Sequence, residues 1–364
     1  MNSISSALTD EQSASSNIKI TTILKPVRGQ LAQTQQLYQE TVLQTEERAY
    51  LHKLVNGETG FWVPEEFRVP VVDTISNHIL QSEGKWIRAA LVLLAANACG
   101  VANPAVRQVA VAVELIHLAT LVHDDIVDEA PIRRGISSVP GNWGNSVSVL
   151  LGDFLLSKSF KLLLASGSIP AQNLLSKATG QMCLGEIKQL TCSYDTILTE
   201  QEYLEMIEYK TASLMAAASA SGGYFGGLSE KAIERLHAYG HALGMAFQIT
   251  DDVLDYTSST AILGKQQGGD LRNGKATLPL IHLFQSHEKQ ARLILDSSAP
   301  MEQKTLELAA LMRRMGSIDY AYKVARRFGE IAKESLKEIE PETGSSDSLN
   351  SLYQLADFVL ARNS

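Results

Sequence analysis

The sequence predicts an all-α fold, a single large helical bundle, and three observations support this prediction. Apolar residues recur at helical spacing along most of the chain, and alternating strand-like runs between Asn-Gly or Asp-Gly turns are absent. Two long apolar patterns each end in acidic residues with the spacing D-D-x-x-D. At 364 residues, 45% of them hydrophobic, the chain can bury a large core.

The elements follow in order along the chain. Residues 1–20 are Ser-rich, and we predict a disordered tail there, because the segment lacks the charged and apolar regions of a signal peptide. Gly and Pro in 56–70 interrupt the first amphipathic pattern. No linker-like composition follows, so residues 21–364 are predicted to form one domain. Helices are predicted at 31–55, 71–82, 88–99, 104–128, 143–165, 170–192, 200–222, 229–257, 276–287, 290–297, 301–313, 316–338 and 346–362.

Composition excludes several classes of function. A net charge of -8 without a basic stripe argues against a nucleic-acid binder. The three cysteines lack metal-type spacing, which favours a reduced, cytoplasmic protein. The longest apolar stretch, 109–122, contains Glu114 and His117 and is too short and too polar for a membrane span, so no membrane anchor is expected.

Two acidic clusters are the main chemical signal. One cluster of this kind is often a solvated helix end, but acids near a helix C-terminus oppose the helix dipole. Two copies of the same spacing therefore favour a shared function. Carboxylates are hard ligands suited to Mg²⁺ that is also held by substrate phosphates, so we expect a metal-bridged diphosphate between two facing helices. The acids are Asp124, Asp125, Asp128, Asp251, Asp252 and Asp255.

Candidate phosphate-binding cations surround these clusters in the sequence. Taken singly, each is an ordinary surface cation, but those beside glycines and acids gain weight because Arg and Lys are the usual partners of phosphate oxygens. The candidates are Lys85 and Arg88 in "EGKWIR", Arg133 and Arg134 after the first cluster, Lys210, and Lys265, Arg272 and Lys275 in a Gly-rich loop, and it is the first four that lie beside glycines and acids at motif-like spacing.

With these motifs assembled, the chain resembles the trans-isoprenyl diphosphate synthases, and within them the medium- to long-chain polyprenyl type. The resemblance runs from about residue 70 to 362 and includes the family's last helix. It implies the isoprenoid synthase bundle, with a central cavity between the helices that carry the two D-D-x-x-D motifs. Seven motifs appear in the family's order: "GKWIR", "IHLATLVHDDIVDEAPIRRG", "GDFLLSKSF", "GEIKQL", "YKTASL", "GMAFQITDDVLDY" and "LGKQQGGDLRNGKATLPLI".

The resemblance also implies roles for individual residues. The six acids would hold three Mg²⁺ on an allylic diphosphate, either farnesyl or geranylgeranyl, and Lys210, Asp124, Asp125, Asp128, Asp251 and Asp252 would be catalytic. Thr211 and Gln248 would flank the growing cation. Arg133, Lys210 and Lys265 would assist on the allylic diphosphate, and Lys85, Arg88, His117 and Arg134 would bind isopentenyl diphosphate.

The sequence departs from the family's pattern at the first basic motif. The usual Gly-Gly-Lys-Arg-x-Arg-Pro is here Glu-Gly-Lys-Trp-Ile-Arg-Ala, with Trp86 in place of an arginine and Ala89 in place of the proline. The lysine and the second arginine remain. The departure therefore concerns local geometry and affinity for isopentenyl diphosphate rather than the chemistry.

Residues before the first acidic motif predict product length. Ala119 and Thr120 lie five and four residues before Asp124, on or near its helix face. In short-chain relatives a bulky aromatic closes the tunnel near this point, so Ala119 favours longer products, in the range C30–C50. On this hypothesis Ala119→Phe shortens the product.

The expected function is Mg²⁺-dependent head-to-tail condensation of isopentenyl diphosphate onto an allylic diphosphate, by a homodimer that contacts membranes only during product release. Three alternatives stay open. A short-chain (C15–C20) synthase would stop at four isoprene units, and a non-catalytic subunit of a heteromeric synthase would usually lack one acidic motif. A terpene cyclase would share the metal site but have no second diphosphate for "GKWIR" and "RRG".

Overall fold

The computed structural model of the protein describes residues 19–42, 70–80, 84–98, 100, 103–133, 135–191, 198–257 and 268–362. Within these ranges the prediction of an all-α fold is confirmed, because helices make up nearly all of the regular structure. The predicted tail lies outside the described residues except for its last two positions. The same holds for the second half of the helix predicted at 31–55, of which the structure describes the part that ends at Val42.

Sixteen α-helices are assigned in the described ranges, and we number them in chain order. The first eight are α1 (Ile20–Ile23), α2 (Arg28–Val42), α3 (Pro70–Leu80), α4 (Ile87–Asn97), α5 (Val106–Val127), α6 (Val139–Ala165), α7 (Ile169–Leu190) and α8 (Glu200–Ile207). The others are α9 (Ser213–Gly226), α10 (Glu230–Thr257), α11 (Gly269–Arg272), α12 (Leu278–Leu295), α13 (Met301–Arg314), α14 (Ser317–Lys337), α15 (Glu340–Thr343) and α16 (Asp347–Ala361).

The core is built around helices whose residues are apolar on nearly every side. Every residue of α4 from Ala89 to Ala96 is buried, and so is almost the whole of α9. Small residues let these helices approach closely: a Cβ on Gly222 would lie 2.4 Å from the carbonyl oxygen of Val92. Helices α5 and α10, which carry the acidic motifs, pack around this centre. The acidic motifs are therefore carried by helices that pack directly on the buried core.

The structure differs from the predicted helices in two places and agrees with a predicted break in a third. The helix predicted at 200–222 is interrupted by one π-helical segment, Glu208–Ala212, between α8 and α9. Non-helical backbone at His287 divides α12, close to the predicted break after residue 287. A short antiparallel hairpin, in which β1 (Ile132–Arg133) pairs with β2 (Ile136–Ser137), follows the first acidic motif; such two-residue strands leave no alternating pattern to detect.

None of the helices in the described ranges combines the length and the apolar character needed to cross a membrane.

Candidate active site

A cavity of about 1160 Å³ lies between the helices that carry the acidic motifs. It exceeds the roughly 300–1,000 Å³ usual for small-molecule sites. Its wall contains both polar side chains, which suit a charged group, and apolar side chains, which suit a hydrocarbon. The polar part includes Lys85, Arg88, His117, Asp124, Glu186, Lys210, Thr211, Gln248, Asp251 and Arg362, and the apolar part includes Leu118, Leu121, Met182, Ile187, Leu214 and Phe247.

The first acidic motif lies at the C-terminal end of α5, where each carboxylate faces a cation. Asp125, which is 3% exposed, accepts a hydrogen bond of 2.6 Å from Nε of Arg133 in the hairpin. Asp128 accepts a hydrogen bond of 2.9 Å from Lys275. Asp124 is the member of the motif that lines the large cavity. Burial raises its pKa to about 6, and the nearby positive charge of Lys210 opposes this shift.

The second acidic motif lies near the end of α10, and two of its carboxylates line different cavities. Asp251 lines the large cavity, whereas Asp252 lines a smaller cavity of about 100 Å³ beside it. Asp255 accepts backbone hydrogen bonds of 3.2 and 3.1 Å from Gly269 and Asp270 at the start of α11. The motif therefore also anchors the segment that follows the Gly-rich loop.

A chain of hydrogen bonds fixes Asp252. The hydroxyl of Thr211 donates to Gln248 (2.7 Å), and the amide of Gln248 donates to Asp252 (2.7 Å). On the other side, the buried hydroxyl of Tyr203 donates to Asp252 at 2.6 Å. Burial and then the negative charge of Asp270 raise the pKa of Asp252 well above its usual value, and the two hydrogen bonds oppose this shift. Tyr203 was not identified from the sequence.

Lys210 lies in the π-helical segment and reaches the first acidic motif. It forms an ion pair with Glu186 of α7, donates to Gln189 at 3.2 Å, and lies 3.9 Å from Asp124. A Cβ on Gly185 would lie only 2.7 Å from the backbone nitrogen of Lys210, so glycine permits α7 to approach the segment this closely. π-helical turns often mark functional sites. Here the turn presents Lys210 to both cavities.

Arg362, near the end of the chain, contributes a cation that was not identified from the sequence. Arg362, directly after α16, lies 2.8 Å from Asp251 and stacks over the ring of Phe247, with 4.6 Å between its guanidinium carbon and the ring centroid. Its side chain is 14% exposed. Burial raises the pKa of Asp251, and Arg362, Lys85 and Arg88 oppose that shift in this order. The cations predicted at 85 and 88 thus lie on the Asp251 side of the cavity.

Of the two residues predicted to set chain length, the structure places one in the cavity wall. Thr120 lines the cavity, and its hydroxyl donates to the carbonyl oxygen of His117 in its own helix. Ala119 is completely buried in a cluster with Tyr38 and is not among the wall residues. The reason is the rotation of the helix. Ala119, five residues before Asp124, lies about 140° around the helix axis from it, whereas Thr120, four residues before, lies about 40° from it.

The other predicted site residues are accounted for as follows. Lys85, Arg88, His117, Lys210, Thr211 and Gln248 line the large cavity, as do Asp124 and Asp251. Arg133 is bonded to the first motif rather than placed in the cavity wall. Arg134 and Lys265 lie outside the described residues, as does the loop at 258–267. Lys275, a weak candidate in the sequence, bonds directly to Asp128.

The donor set fits Mg²⁺, although no three acidic, histidine or cysteine side chains in the described ranges form a chelating cluster by themselves. Mg²⁺ usually takes one or two carboxylates and completes its shell with water and substrate phosphates, so such a cluster is not needed. Burial raises the pKa of Asp124, Asp251, Asp252 and Asp270, and that of Asp270 reaches about 6. A divalent cation would relieve this concentration of buried negative charge.

Comparison with known proteins gives a consistent result. A sequence model described as polyprenyl synthetase matches residues 69–315. An all-trans-nonaprenyl-diphosphate synthase (geranyl-diphosphate specific) of Rhodobacter capsulatus is 38% identical over 292 residues, 79% of this chain and 89% of that protein. A geranylgeranyl diphosphate synthase of Methanosarcina mazei is 38% identical over 297 residues, 79% of this chain and 88% of that protein.

The fold agrees with a solved structure as well. A crystal structure of polyprenyl synthase from Caulobacter crescentus, complexed with calcium and isoprenyl diphosphate, superimposes with a TM-score of 0.82. The two chains are 32% identical, and the match covers 95% of this chain and 98% of that chain.

Proposed function

Since the chain belongs to the polyprenyl synthetase family and is a prenyltransferase, we propose that it condenses isopentenyl diphosphate head-to-tail onto an allylic diphosphate, with Mg²⁺ as cofactor. The observation that carries this proposal is the cavity, whose wall brings together acids of the two motif-bearing helices, several cations and a set of apolar side chains. Such a cavity suits a substrate with a charged head and a hydrocarbon tail.

The allylic diphosphate would bind between the two acidic motifs. Three Mg²⁺ would be held by Asp124, Asp125, Asp128, Asp251, Asp252 and Asp255, and when bound they supply positive charge that stabilises the departing diphosphate. Lys210 and Lys275, which now bond to carboxylates, would turn to the diphosphate once the metal neutralises those carboxylates. Arg133 and Lys265 would add positive charge on the same side.

The diphosphate of isopentenyl diphosphate would bind beside Lys85, Arg88, His117 and Arg134. The first three of these line the cavity, and the charges of Lys85 and Arg88 act on Asp251. Two diphosphates in one cavity repel each other, so separate sets of cations are needed to hold both. A terpene cyclase would have no use for the second set, which favours the condensation reaction.

The chemistry then depends mainly on charge and position. The allylic C–O bond breaks, and the electron pair leaves with the diphosphate. The double bond of isopentenyl diphosphate attacks the resulting carbocation and forms the new C–C bond, and a proton is lost to the released diphosphate. Thr211 and Gln248, held in line by their hydrogen bond, present oxygen atoms beside the cation. The apolar wall excludes water that would otherwise quench the cation.

The proposed product range is C30–C50, formed from a farnesyl or geranylgeranyl primer. The size of the cavity and the small side chain of Thr120 in its wall support long products. Relatives of similar identity are named for both short and long products, so a C15–C20 product is the second candidate.

We further propose a cytoplasmic homodimer. Large apolar side chains remain exposed on α6 and α7, and extended apolar surface of this kind favours an interface between copies. Both acidic motifs and their cations are present, which argues against a non-catalytic subunit of a heteromeric synthase. The exposed residues are Val149, Leu150, Phe160, Leu164, Ile169, Leu184, Ile187 and Leu190, of which the last two also line the large cavity.

The test is incubation of the purified protein with labelled isopentenyl diphosphate, Mg²⁺ and either primer, followed by chromatography of the dephosphorylated products. We expect C30–C50 alcohols that depend on both the primer and Mg²⁺, and no product from Asp251→Asn. Products that end at C15 or C20 support the short-chain alternative. A wild-type protein that gives no product with any primer overturns the proposal.

A further inference from the structure

Trp86 adopts a backbone conformation that is rare for a bulky residue. With φ 54° and ψ 30° it is left-handed, and among the described residues Glu129 is the only other non-glycine residue with a positive φ. A left-handed residue with a large side chain is sterically unfavourable, and it persists only where the surrounding structure imposes it. The conformation therefore indicates a local constraint at the start of α4.

The surrounding contacts show what imposes it. The indole ring packs edge-to-face on the ring of Tyr38 in α2, with ring centroids 4.9 Å apart and an interplanar angle of 82°. Trp86 also packs against two separate core clusters. It makes no side-chain cap for α4; instead Glu114 of α5 accepts a hydrogen bond of 2.9 Å from the backbone nitrogen of Ala89. Two neighbouring helices thus fix the beginning of α4.

The position of Trp86 gives this constraint a consequence for the site. Lys85 lies just outside α4, and Arg88 lies in its first turn, so the backbone of Trp86 determines how the two cations stand relative to each other. Both line the large cavity, as does Trp86. The ammonium of Lys85 lies 5.8 Å from the centre of the Phe358 ring in α16.

We propose that Trp86, locked by Tyr38, is a positioning residue that sets the spacing of Lys85 and Arg88 for the diphosphate of isopentenyl diphosphate. This inference rests on the proposed function, since it assigns these two cations to the nucleophilic substrate. The aromatic lock replaces the arginine that the related sequence pattern carries at this position. Geometry, rather than additional charge, then determines how firmly the diphosphate is held.

The decisive variant is Trp86→Gly, because glycine accepts the left-handed backbone without strain but cannot pack on Tyr38. We expect the KM for isopentenyl diphosphate to rise about tenfold or more, since small displacements of binding groups have large effects. The KM for the allylic primer and the helical circular dichroism should stay close to the wild-type values, whereas the melting temperature should fall because the indole packs against two core clusters. Trp86→Phe, which retains a ring, should recover part of the affinity.

Tyr38 supplies the matched comparison. Tyr38→Ala should reproduce the effect of Trp86→Gly, Tyr38→Phe should not, and the double variant should be no worse than either single one, because both changes remove the same contact. Wild-type affinity for isopentenyl diphosphate in Trp86→Gly, or an equal rise in both KM values, would overturn the inference.

Direct binding separates this inference from the proposed function. Calorimetric titration with isopentenyl diphosphate, in the presence of Mg²⁺ and without a primer, needs no turnover, and we expect about tenfold weaker binding to Trp86→Gly than to wild type. Equal binding would count against the positioning role even if the enzyme condenses isoprenoids as proposed. Conversely, if the wild-type protein forms no product but Trp86→Gly still binds more weakly, the positioning role is supported and the proposed reaction is refuted.

Discussion

Replacing Asp124 by asparagine should stabilise the substrate-free protein at neutral pH while abolishing turnover. Burial raises the pKa of this carboxyl group from 3.8 to about 6, so that the folded state disfavours its charged form. The difference of about two pKa units corresponds to about 3 kcal/mol. Asparagine has nearly the same shape and carries no charge, so the variant avoids that cost.

The sign of the pH dependence follows from the direction of the shift. The folded protein holds the proton of Asp124 to higher pH than the unfolded chain does, so stability falls as the pH rises from 3.8 through about 6. Above that range the whole destabilisation is present in the wild type. The advantage of the variant should therefore be about 3 kcal/mol at pH 8 and below about 1 kcal/mol at pH 4.

Thermal unfolding in the presence of a chelator measures this difference. An unfolding entropy of about 2.1 cal/mol/K per residue gives about 0.76 kcal/mol/K for this chain, so 3 kcal/mol corresponds to a rise in Tm of about 4 °C. The matched control is Asp153→Asn on α6, whose side chain is 64% exposed and which should leave Tm unchanged. The reasoning is refuted if Asp124→Asn is no more stable than wild type at pH 8, or if Asp153→Asn raises Tm by the same amount.

Three further predictions concern the cavity and its supports. Thr120→Phe should shorten the products on chromatograms without loss of stability, whereas Ala119→Phe should cost about 1–3 kcal/mol by overpacking; the reverse pattern would contradict the assignment of the wall. Tyr203→Phe removes a hydrogen bond worth about 1.5–3 kcal/mol to a buried carboxylate, so half-maximal activation should need about tenfold more Mg²⁺, most clearly below pH 7. Gly185→Ala should lower kcat because its Cβ would meet backbone 2.7 Å away, while Gly180→Ala, with open space around it, should retain full activity.

The parts of the site that could be predicted from the sequence are those marked by the spacing of neighbouring residues. A D-D-x-x-D run after a long apolar stretch is sufficient to place Asp124 and Asp251 on helices, and the structure brings both to one cavity. The repeated spacing carried this prediction, because a single acidic run is as easily a solvated helix end. Thr211 and Gln248 followed from the resemblance and lie in hydrogen-bond contact.

What the sequence could not predict depends on long-range packing. Nothing in "EYKTA" indicates the π-helical turn that presents Lys210, since no residue pattern distinguishes it from an α-helix. Arg362 appears as an isolated cation near the chain end, and only the docking of α16 brings it to Asp251. Of the two residues predicted to set product length, Ala119 is buried in a cluster with Tyr38 and Thr120 lies in the cavity wall, a distinction that depends on how the helix packs.

On the proposed function, the ion pairs of the site would make the binding of metal and of diphosphate depend on each other. Four carboxylates of the two motifs already face a cation: Lys210 near Asp124, Arg133 on Asp125, Lys275 on Asp128 and Arg362 on Asp251. A metal ion alone would have to displace these cations and leave them without partners in a partly buried cavity, which is unfavourable. A diphosphate alone would meet buried carboxylates of the same sign. When both bind together, the metal takes the carboxylates and the released cations take the phosphate oxygens, so every charge keeps a partner. Tight binding should therefore require metal and diphosphate together, and calorimetry with Mg²⁺ alone, inorganic diphosphate alone and the two combined should show strong positive coupling.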